Sequence, residues 1–329
     1  MKVFLTGATG FIGGHLLRSL LEAGAEVRCL TRAQSLRRNL DGLDVEVAEG
    51  DLRDASTLRS GLEGCEMVFH CAADYRLYCK NPQELYESNV EGTRNLMQAA
   101  SEVGARRVVY TSSVGALGLE PDGSPSDEET PVTLEAMVGH YKRSKFLAER
   151  VADDWVGKGL PIVIVNPSTP IGEGDLKPTA TGQMIVDFLN RKTPAYVDTG
   201  LNLVDVRDVA LGHVRAADKG RVGEKYILGN RDMSLREIYQ TLGSLTGLPA
   251  PKVKVPHWLP LAWAALDTGV SRLVGRTPGV PLEAVRLSRY KMYFDPSKAV
   301  RELGLPQTPI EEPLQRAVDW YRTNGYVTR

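Results

Sequence analysis

Tyr141 and Lys145 stand four residues apart in a stretch whose apolar spacing predicts a helix over 133–156, so both side chains fall on one helix face. A phenol has an ordinary pKa near 10 and is a poor base at neutrality. A nearby ammonium, together with the positive ring of an oxidised nicotinamide, would favour the phenolate and lower that value. Tyr141 can then take a proton from an alcohol, or give one to a developing alkoxide, as hydride moves to or from the ring. Lys145 would also hydrogen bond the nicotinamide ribose. Ser113 would supply a hydroxyl to hold the substrate oxygen. A tyrosine and a lysine at this spacing occur by chance on many solvated helices. The weight comes from what precedes them.

The elements that would position this group begin at the first residues. Lys2 to Gly14 reads KVFLTGATGFIGG: an apolar run suited to a buried strand, a tight turn, then a helix from Phe11 to about Glu22. Gly7, Gly10 and Gly13 fall three apart. A side chain at Gly7 would obstruct the turn, one at Gly10 would hold a pyrophosphate off the backbone, and one at Gly13 would wedge the helix off its strand. The helix start offers unpaired N–H groups and a partial positive charge to phosphates. A strand before and a helix after is the context such a glycine motif requires.

Further strands are predicted near 26–30, 45–48, 67–71, 107–110 and 162–165, with helices over 82–104 and 133–156. Strand and helix in alternation predict an α/β fold, a Rossmann-type doubly wound parallel sheet. The second strand ends at Thr31-Arg32 without a carboxylate, and Arg37 and Arg38 follow closely. An acid there binds the 2′-hydroxyl of NAD, whereas an arginine accommodates the 2′-phosphate of NADP. The reading favours NADP(H) and leaves NAD(H) open. Ala72 and Ala73, small residues ending the fourth strand, allow backbone to pass close to a cofactor. The fifth strand ends in Thr111-Ser112-Ser113.

Beyond Pro170 the alternation fades into helices joined by proline-rich links. The division expected is a dinucleotide-binding domain over 1–166 and a smaller substrate-binding lobe over 167–329, some of whose segments return to the nucleotide sheet. Charged residues make up 25% and hydrophobic ones 42% of the 329, with a formal net charge of -1, so no overall basic field favours nucleic acid. Cys29, Cys65, Cys71 and Cys79 lack metal-like spacing and a supporting histidine cluster. Reduced thiols, no metal and a cytoplasmic location are expected. The N-terminus reads as a strand, not a signal peptide, and no run of about eighteen apolar residues predicts a membrane span. Val255 to Leu266, VPHWLPLAWAAL, is uncharged, too short to span, and broken by prolines. It reads as a core or lid segment, with a peripheral membrane contact left open.

TGATGFIG at 6–13, GDLRD at 50–54, CAAD at 71–74, NVEGTRN at 89–95, YTSSV at 110–114, YKRSK at 141–145, NPSTPIG at 166–172 and LVDVRDVA at 203–210 occur in order. On these the chain resembles the extended short-chain dehydrogenase/reductase superfamily, the NAD-dependent epimerases and dehydratases. GHYKRSKFLAE, VIVNPSTPIGEGDLKPT, MIVDFLN and PAYVDTGLNLVDVRDVA carry a closer resemblance to its dihydroflavonol-reductase-like branch, and there to the hopanoid-associated sugar epimerases. The resemblance implies that Gly7, Thr9, Gly10, Phe11, Ile12 and Gly13 line the pyrophosphate and that Arg32 meets the 2′-phosphate. It places Asp51 and Leu52 at the adenine, Ala72 and Ala73 at the phosphate and ribose, and Pro167 and Ser168 beside the nicotinamide amide. Ser113, Tyr141 and Lys145 match its catalytic triad. Asn89 and Asp205 match structural positions. A homodimer built on the helices near 82–104 and 133–156 is common in that superfamily.

Several reactions share this triad. Sugar-nucleotide dehydratases carry an Asp-Glu pair after the strand-five hydroxyl residue; here Val114-Gly115 follows, which disfavours dehydration. Arg32 points to NADPH and so to net reduction of a carbonyl on a sugar-like or hydroxylated small molecule, with attachment to a polycyclic lipid left open. A sugar epimerase with retained NAD is the alternative. A non-catalytic redox sensor is the third reading, opposed by the presence of all three catalytic residues.

Overall fold

The computed structural model describes residues 1–274, 276, 278–279 and 282–328. The strands are β1 (Lys2–Thr6), β2 (Glu26–Thr31), β3 (Glu46–Glu49), β4 (Met67–His70), β5 (Arg107–Thr111), β6 (Ile162–Pro167) and β7 (Thr169–Ile171). After them come β8 (Ala195–Tyr196), β9 (Gly200–Asp205), β10 (Lys225–Leu228), β11 (Arg231–Ser234), β12 (Val253–Lys254) and β13 (Lys291–Met292). The helices are α1 (Phe11–Glu22), α2 (Ala55–Leu62), α3 (Gln83–Tyr86), α4 (Gly92–Glu102), α5 (Gly139–Gly157) and α6 (Ala180–Leu189). The second half adds α7 (Val206–Lys219), α8 (Leu235–Thr246), α9 (Trp258–Val274), α10 (Leu282–Leu287), α11 (Ser297–Leu303) and α12 (Glu311–Thr323).

Among the described residues, seven strands form one sheet in the order β10-β6-β5-β4-β1-β2-β3. Every pairing in it is parallel. Successive strand residues point to opposite faces, and both faces are buried. Val3 and Leu5 of β1 join Leu16 and Leu17 of α1 and Val209 and Ala210 of α7 in one core. Phe4, between them, joins Leu58 of α2, Leu96 and Met97 of α4 and Val151 of α5 in the other. That double burial is why these strands read as continuous apolar runs.

The order turns back beside β1, whose C-terminal end leads directly into the glycine turn. In such sheets ligands bind outside the carboxyl ends of the strands at this reversal. The chain re-enters the sheet late: β10 pairs with β6, and α7 packs on α1. The rest of the second half gathers β7, β11 and β13 around β9 and builds its own core from Ile185, Phe188, Ile238, Leu242 and Leu314.

Three elements depart from the sequence expectation. The helix expected from 133 begins at Gly139, because Val138 is extended and Gly139 takes a left-handed φ of +82°. The helix expected over 82–104 is interrupted by a π turn at Glu87–Glu91, which rotates Asn89 inward. The apolar segment expected in the core or a lid forms α9, with its largest side chains in solvent.

Candidate active site

The turn after β1 is built for close approach. Gly7 has φ +80°, and a Cβ there would lie 2.7 Å from the Ala72 nitrogen and 2.8 Å from the Cys71 carbonyl carbon. The Gly10 N–H donates to the Gly7 carbonyl at 2.9 Å. Gly10 caps α1 with extended backbone and no side-chain hydrogen bond, and the first turn carries no acid. Its opening amides are left for an anionic ligand. A Cβ on Gly13 would collide with the Gly7 carbonyl, so this glycine seats the helix on the turn rather than on the strand. Ile12 packs against the first core, Phe11 stacks edge-on to His15 at 5.9 Å, and Thr9 is half-buried. Asn39 holds the turn from outside: its amide donates to the carbonyls of Thr9 at 3.3 Å and Gly10 at 3.1 Å. Nothing in the sequence around Asn39 signalled that role.

At the end of β2, Arg32 is exposed and makes no ion pair among the described residues. Its basic neighbours are engaged elsewhere: Arg37 faces Glu49 at 3.8 Å, and Arg38 donates to the Asn324 side chain at 2.8 Å. Asp51 accepts from Arg53 at 2.7 Å, and that hydrogen bond holds its carboxyl below the ordinary range. Leu52 is buried, its Cβ 2.8 Å from where a Cβ on Gly92 would sit.

The backbone at Ala72 and Ala73 is fixed by a directional chain of buried groups. The Ala72 N–H donates to Thr6 Oγ1 at 3.1 Å, and the Thr6 hydroxyl meets His70 Nδ1 at 2.9 Å. His70 Nε2 meets Thr93 Oγ1 at 2.9 Å, and Thr93 donates to the Asn89 carbonyl at 2.6 Å. Because the Thr93 proton is spent on that carbonyl, the His70 proton sits on Nε2 and Thr6 donates to Nδ1. Burial, aided by the Lys145 charge, lowers the His70 pKa to about 3, so the ring is neutral. Asn89 continues the brace. It accepts from the Asp74 N–H at 2.7 Å and donates to the Asp74 carbonyl at 2.8 Å and to Ser144 at 2.9 Å. Ser144 in turn donates to the Tyr141 carbonyl at 2.8 Å. The β4 loop and α5 are thereby joined.

Ser113 begins a short 3-10 turn, and its Oγ accepts from the Gly115 N–H at 3.0 Å. Tyr141 and Ser113 interact through their side chains. Burial pushes the Tyr141 phenol above its ordinary pKa, and the Ser113 hydroxyl opposes that shift. The depressed phenol expected from sequence is therefore absent from the folded chain alone. Desolvation outweighs the favourable contacts, and Lys145 is not among the groups that move Tyr141. Lys145 is buried, and its Nζ donates to the Thr111 carbonyl at 2.8 Å and lies 5.1 Å from the centre of the Tyr110 ring. Burial lowers its pKa to about 8.

The floor of the site is tied by Glu149, fully buried on α5. It accepts from Ser112 at 2.6 Å, Asn166 at 2.9 Å and Lys225 at 2.6 Å, linking the ends of β5 and β6 to β10. Pro167 ends β6, and the Ser168 N–H donates to the Leu228 carbonyl at 3.0 Å.

These residues fit a bound dinucleotide. The glycine turn has no room for side chains, the α1 start is uncapped, and Thr31 Oγ1, Asn166 Oδ1 and Ser168 Oγ are buried without a hydrogen-bond partner. Buried polar atoms without partners are uncommon, and a ligand at the strand ends would satisfy them. A separate cavity of about 610 Å³ between α1, α7 and α12, with His15, Arg18, Glu173 and Trp320 in its wall, contains none of Ser113, Tyr141 and Lys145.

Residues 3–229 match the NAD dependent epimerase/dehydratase family. The chain is 49% identical over 328 residues to a Synechocystis sp. protein given a dihydroflavonol 4-reductase name, covering 98% of this chain and 95% of that protein. It is 38% identical over 329 residues to sterol demethylase protein B of Methylococcus capsulatus, covering 99% of this chain and 100% of the relative. Among solved structures, a nucleoside-diphosphate-sugar epimerase from Pseudomonas aeruginosa superposes with a TM-score of 0.81 at 27% identity, over 100% of this chain and 99% of that one.

Proposed function

The chain belongs to the NAD dependent epimerase/dehydratase family, and on that premise we propose that it is an NADP(H)-dependent reductase of the extended short-chain dehydrogenase/reductase type. The observation that carries this reading is Arg32: an exposed guanidinium with no ion pair among the described residues, at the strand end where NAD-specific sites place an acid. A 2′-phosphate would give it a charge-assisted partner.

The glycine turn from Gly7 to Gly13 would hold the pyrophosphate, Asp51 and Leu52 would border the adenine, and Ala72 and Ala73 would border the phosphate and ribose. Pro167 and Ser168 would border the nicotinamide amide. When bound, the dinucleotide supplies the hydride. The protein's part is the proton. A phenol that burial keeps protonated is an acid, which is what carbonyl reduction requires at the oxygen. Tyr141 gives its proton to the carbonyl oxygen as the carbon is reduced, and the product is an alcohol. Ser113 donates a hydrogen bond to the same oxygen and stabilises its developing charge. Lys145, a buried ammonium anchored on the Thr111 carbonyl, would hold the ribose.

The substrate proposed is a ketone or aldehyde on a hydroxylated or sugar-like portion of a larger apolar molecule, of the polycyclic lipid type. The sterol named in one relative and the apolar α9 of the second half support that choice. If turnover never depends on a hydrophobic substrate portion, the lipid part is wrong. A second reading, a sugar-nucleotide epimerase with retained NAD, is favoured by the name of the Pseudomonas structure. Titration with NADPH and NADH, followed by a panel of carbonyl compounds and sugar nucleotides, tests both. Tighter NADPH binding with carbonyl reduction supports the reductase. Tighter NADH binding with isomerised sugar nucleotide supports the epimerase.

A further inference from the structure

Helix α9 has its amphipathic character inverted. Ala264 and Ser271 are 0% exposed and Thr268 is 8% exposed, so small and polar residues face inward. Outward stand Trp258, Leu259, Trp263, Leu266, Val270 and Val274, at 66, 46, 65, 67, 50 and 64% exposed. From Leu259 the outward positions recur at steps of three and four, a single stripe on one helix face. At about 1.5 Å per residue it runs for roughly 22 Å. A water-facing helix shows the opposite arrangement, and a continuous exposed apolar patch of this kind marks a surface that is covered in use.

The charges beside the stripe indicate what covers it. A depression of about 610 Å³ adjoins the first turn of α9, with Asp198, Lys254, His257, Arg289 and Lys291 in its wall. Lys254 pairs with Asp198 at 2.7 Å, while Arg289 and Lys291 make no ion pair among the described residues. Lys252 is exposed just before it. Asp267, the one acid within α9, is engaged by Arg276 and the Gly279 N–H. The surroundings are therefore cationic. Tryptophans at the end of an apolar stripe, next to unpaired cations, match a phospholipid interface. A second copy of the chain would bring the same cations with it. No helix among the described residues is long and apolar enough to cross a membrane, so α9 would lie on the surface.

We propose that the exposed face of α9 docks on an anionic phospholipid bilayer, with the stripe at the headgroup boundary and Lys254, Arg289 and Lys291 against lipid phosphates. The position is apt for an enzyme with a lipophilic substrate. Helix α9 packs on α10, and Glu283 of α10 fills the space beside Gly139, two residues before Tyr141. The docking stands apart from the reaction assigned above, since vesicle binding needs no turnover.

The test is flotation of the full chain with phosphatidylcholine vesicles, with and without phosphatidylglycerol. Tryptophan emission and light scattering are recorded alongside. The expected result is flotation with the anionic vesicles, a blue-shifted emission and a loss of binding in high salt. The double variant Trp263→Glu, Leu266→Glu should reduce partitioning by about tenfold or more while far-UV circular dichroism is unchanged. Lys291→Glu with Arg289→Glu should reduce it on anionic vesicles alone. Absence of binding to either vesicle, or binding that the stripe variant leaves intact, overturns the proposal. Self-association in solution that the stripe variant abolishes, with no vesicle binding, would assign the face to a second copy instead.

Discussion

Lys145 donates from its buried ammonium to the Thr111 carbonyl at 2.8 Å, clamping the helix that carries Tyr141 to the end of the strand that leads into Ser113. Two elements far apart in sequence are thereby held in one geometry before any ligand arrives. Pre-positioning of this kind would let a hydroxyl and a phenol act on one oxygen in the proposed reaction. The Asn89 and Glu149 braces serve the same end from either side.

The proposed preference for NADP(H) rests on Arg32. Replacing it by alanine removes the one guanidinium at the end of β2 that makes no ion pair or hydrogen bond among the described residues. A charge-assisted hydrogen bond contributes about 1.5–3 kcal/mol, so NADPH affinity should fall by roughly 10- to 100-fold. NADH affinity should change little. Fluorescence titration of both cofactors with wild type and Arg32→Ala checks this. Equal losses for the two would remove the 2′-phosphate role.

Asn89 tests the brace. In Asn89→Ala the Asp74 N–H and carbonyl and the Ser144 hydroxyl each lose a partner. Stranding buried polar groups costs about 1–3 kcal/mol each, less where water enters. Urea denaturation should show a destabilisation of about 2 kcal/mol or more. An unchanged midpoint would mean that the π turn is held by other contacts.

Acid stability follows from two buried imidazoles. His213 meets Thr111 Oγ1 at 2.9 Å and donates from Nδ1 to the Val209 carbonyl at 2.7 Å, and burial lowers its pKa to about 4. His70 is lowered to about 3. Both rings bind protons near pH 6.5 once unfolded and resist them when folded. The unfolded chain then binds more protons in that window, so stability is full above about pH 6.5 and falls on acidification toward the folded values. Each ring contributes a slope of about 1.4 kcal/mol per pH unit. Urea midpoints of wild type and His213→Gln between about pH 6 and pH 4.5 should diverge in slope by roughly that amount. Parallel curves would contradict the assignment.

What the sequence made legible was periodic or local. Runs such as Val3-Phe4-Leu5 announce strands buried on both faces, and the glycine spacing announces a turn. The spacing of Tyr141 and Lys145 announced that they share one helix, and gained weight only from the glycine turn and the Ser/Thr cluster before it. The supporting groups were hidden because their partners are distant in the chain: Thr6 meets His70, Asn89 meets Ser144, and Glu149 meets Lys225. No local pattern reports such pairs. The i,i+4 spacing shows a nearby ammonium but not the depth of burial, which raises the phenol in the folded chain alone. In α9, composition showed that apolar surface would be covered, and could not show that its own chain leaves it open.

The most direct measurement compares Tyr141→Phe with wild type, recording NADPH affinity and the rate of NADPH-dependent carbonyl reduction in the same preparation. In the proposed mechanism the phenol makes the proton transfer, a step that contributes about 10²–10⁴-fold. The expected rate is lower by that factor, with the NADPH dissociation constant nearly unchanged. A variant that still reduces the carbonyl at the wild-type rate would contradict it.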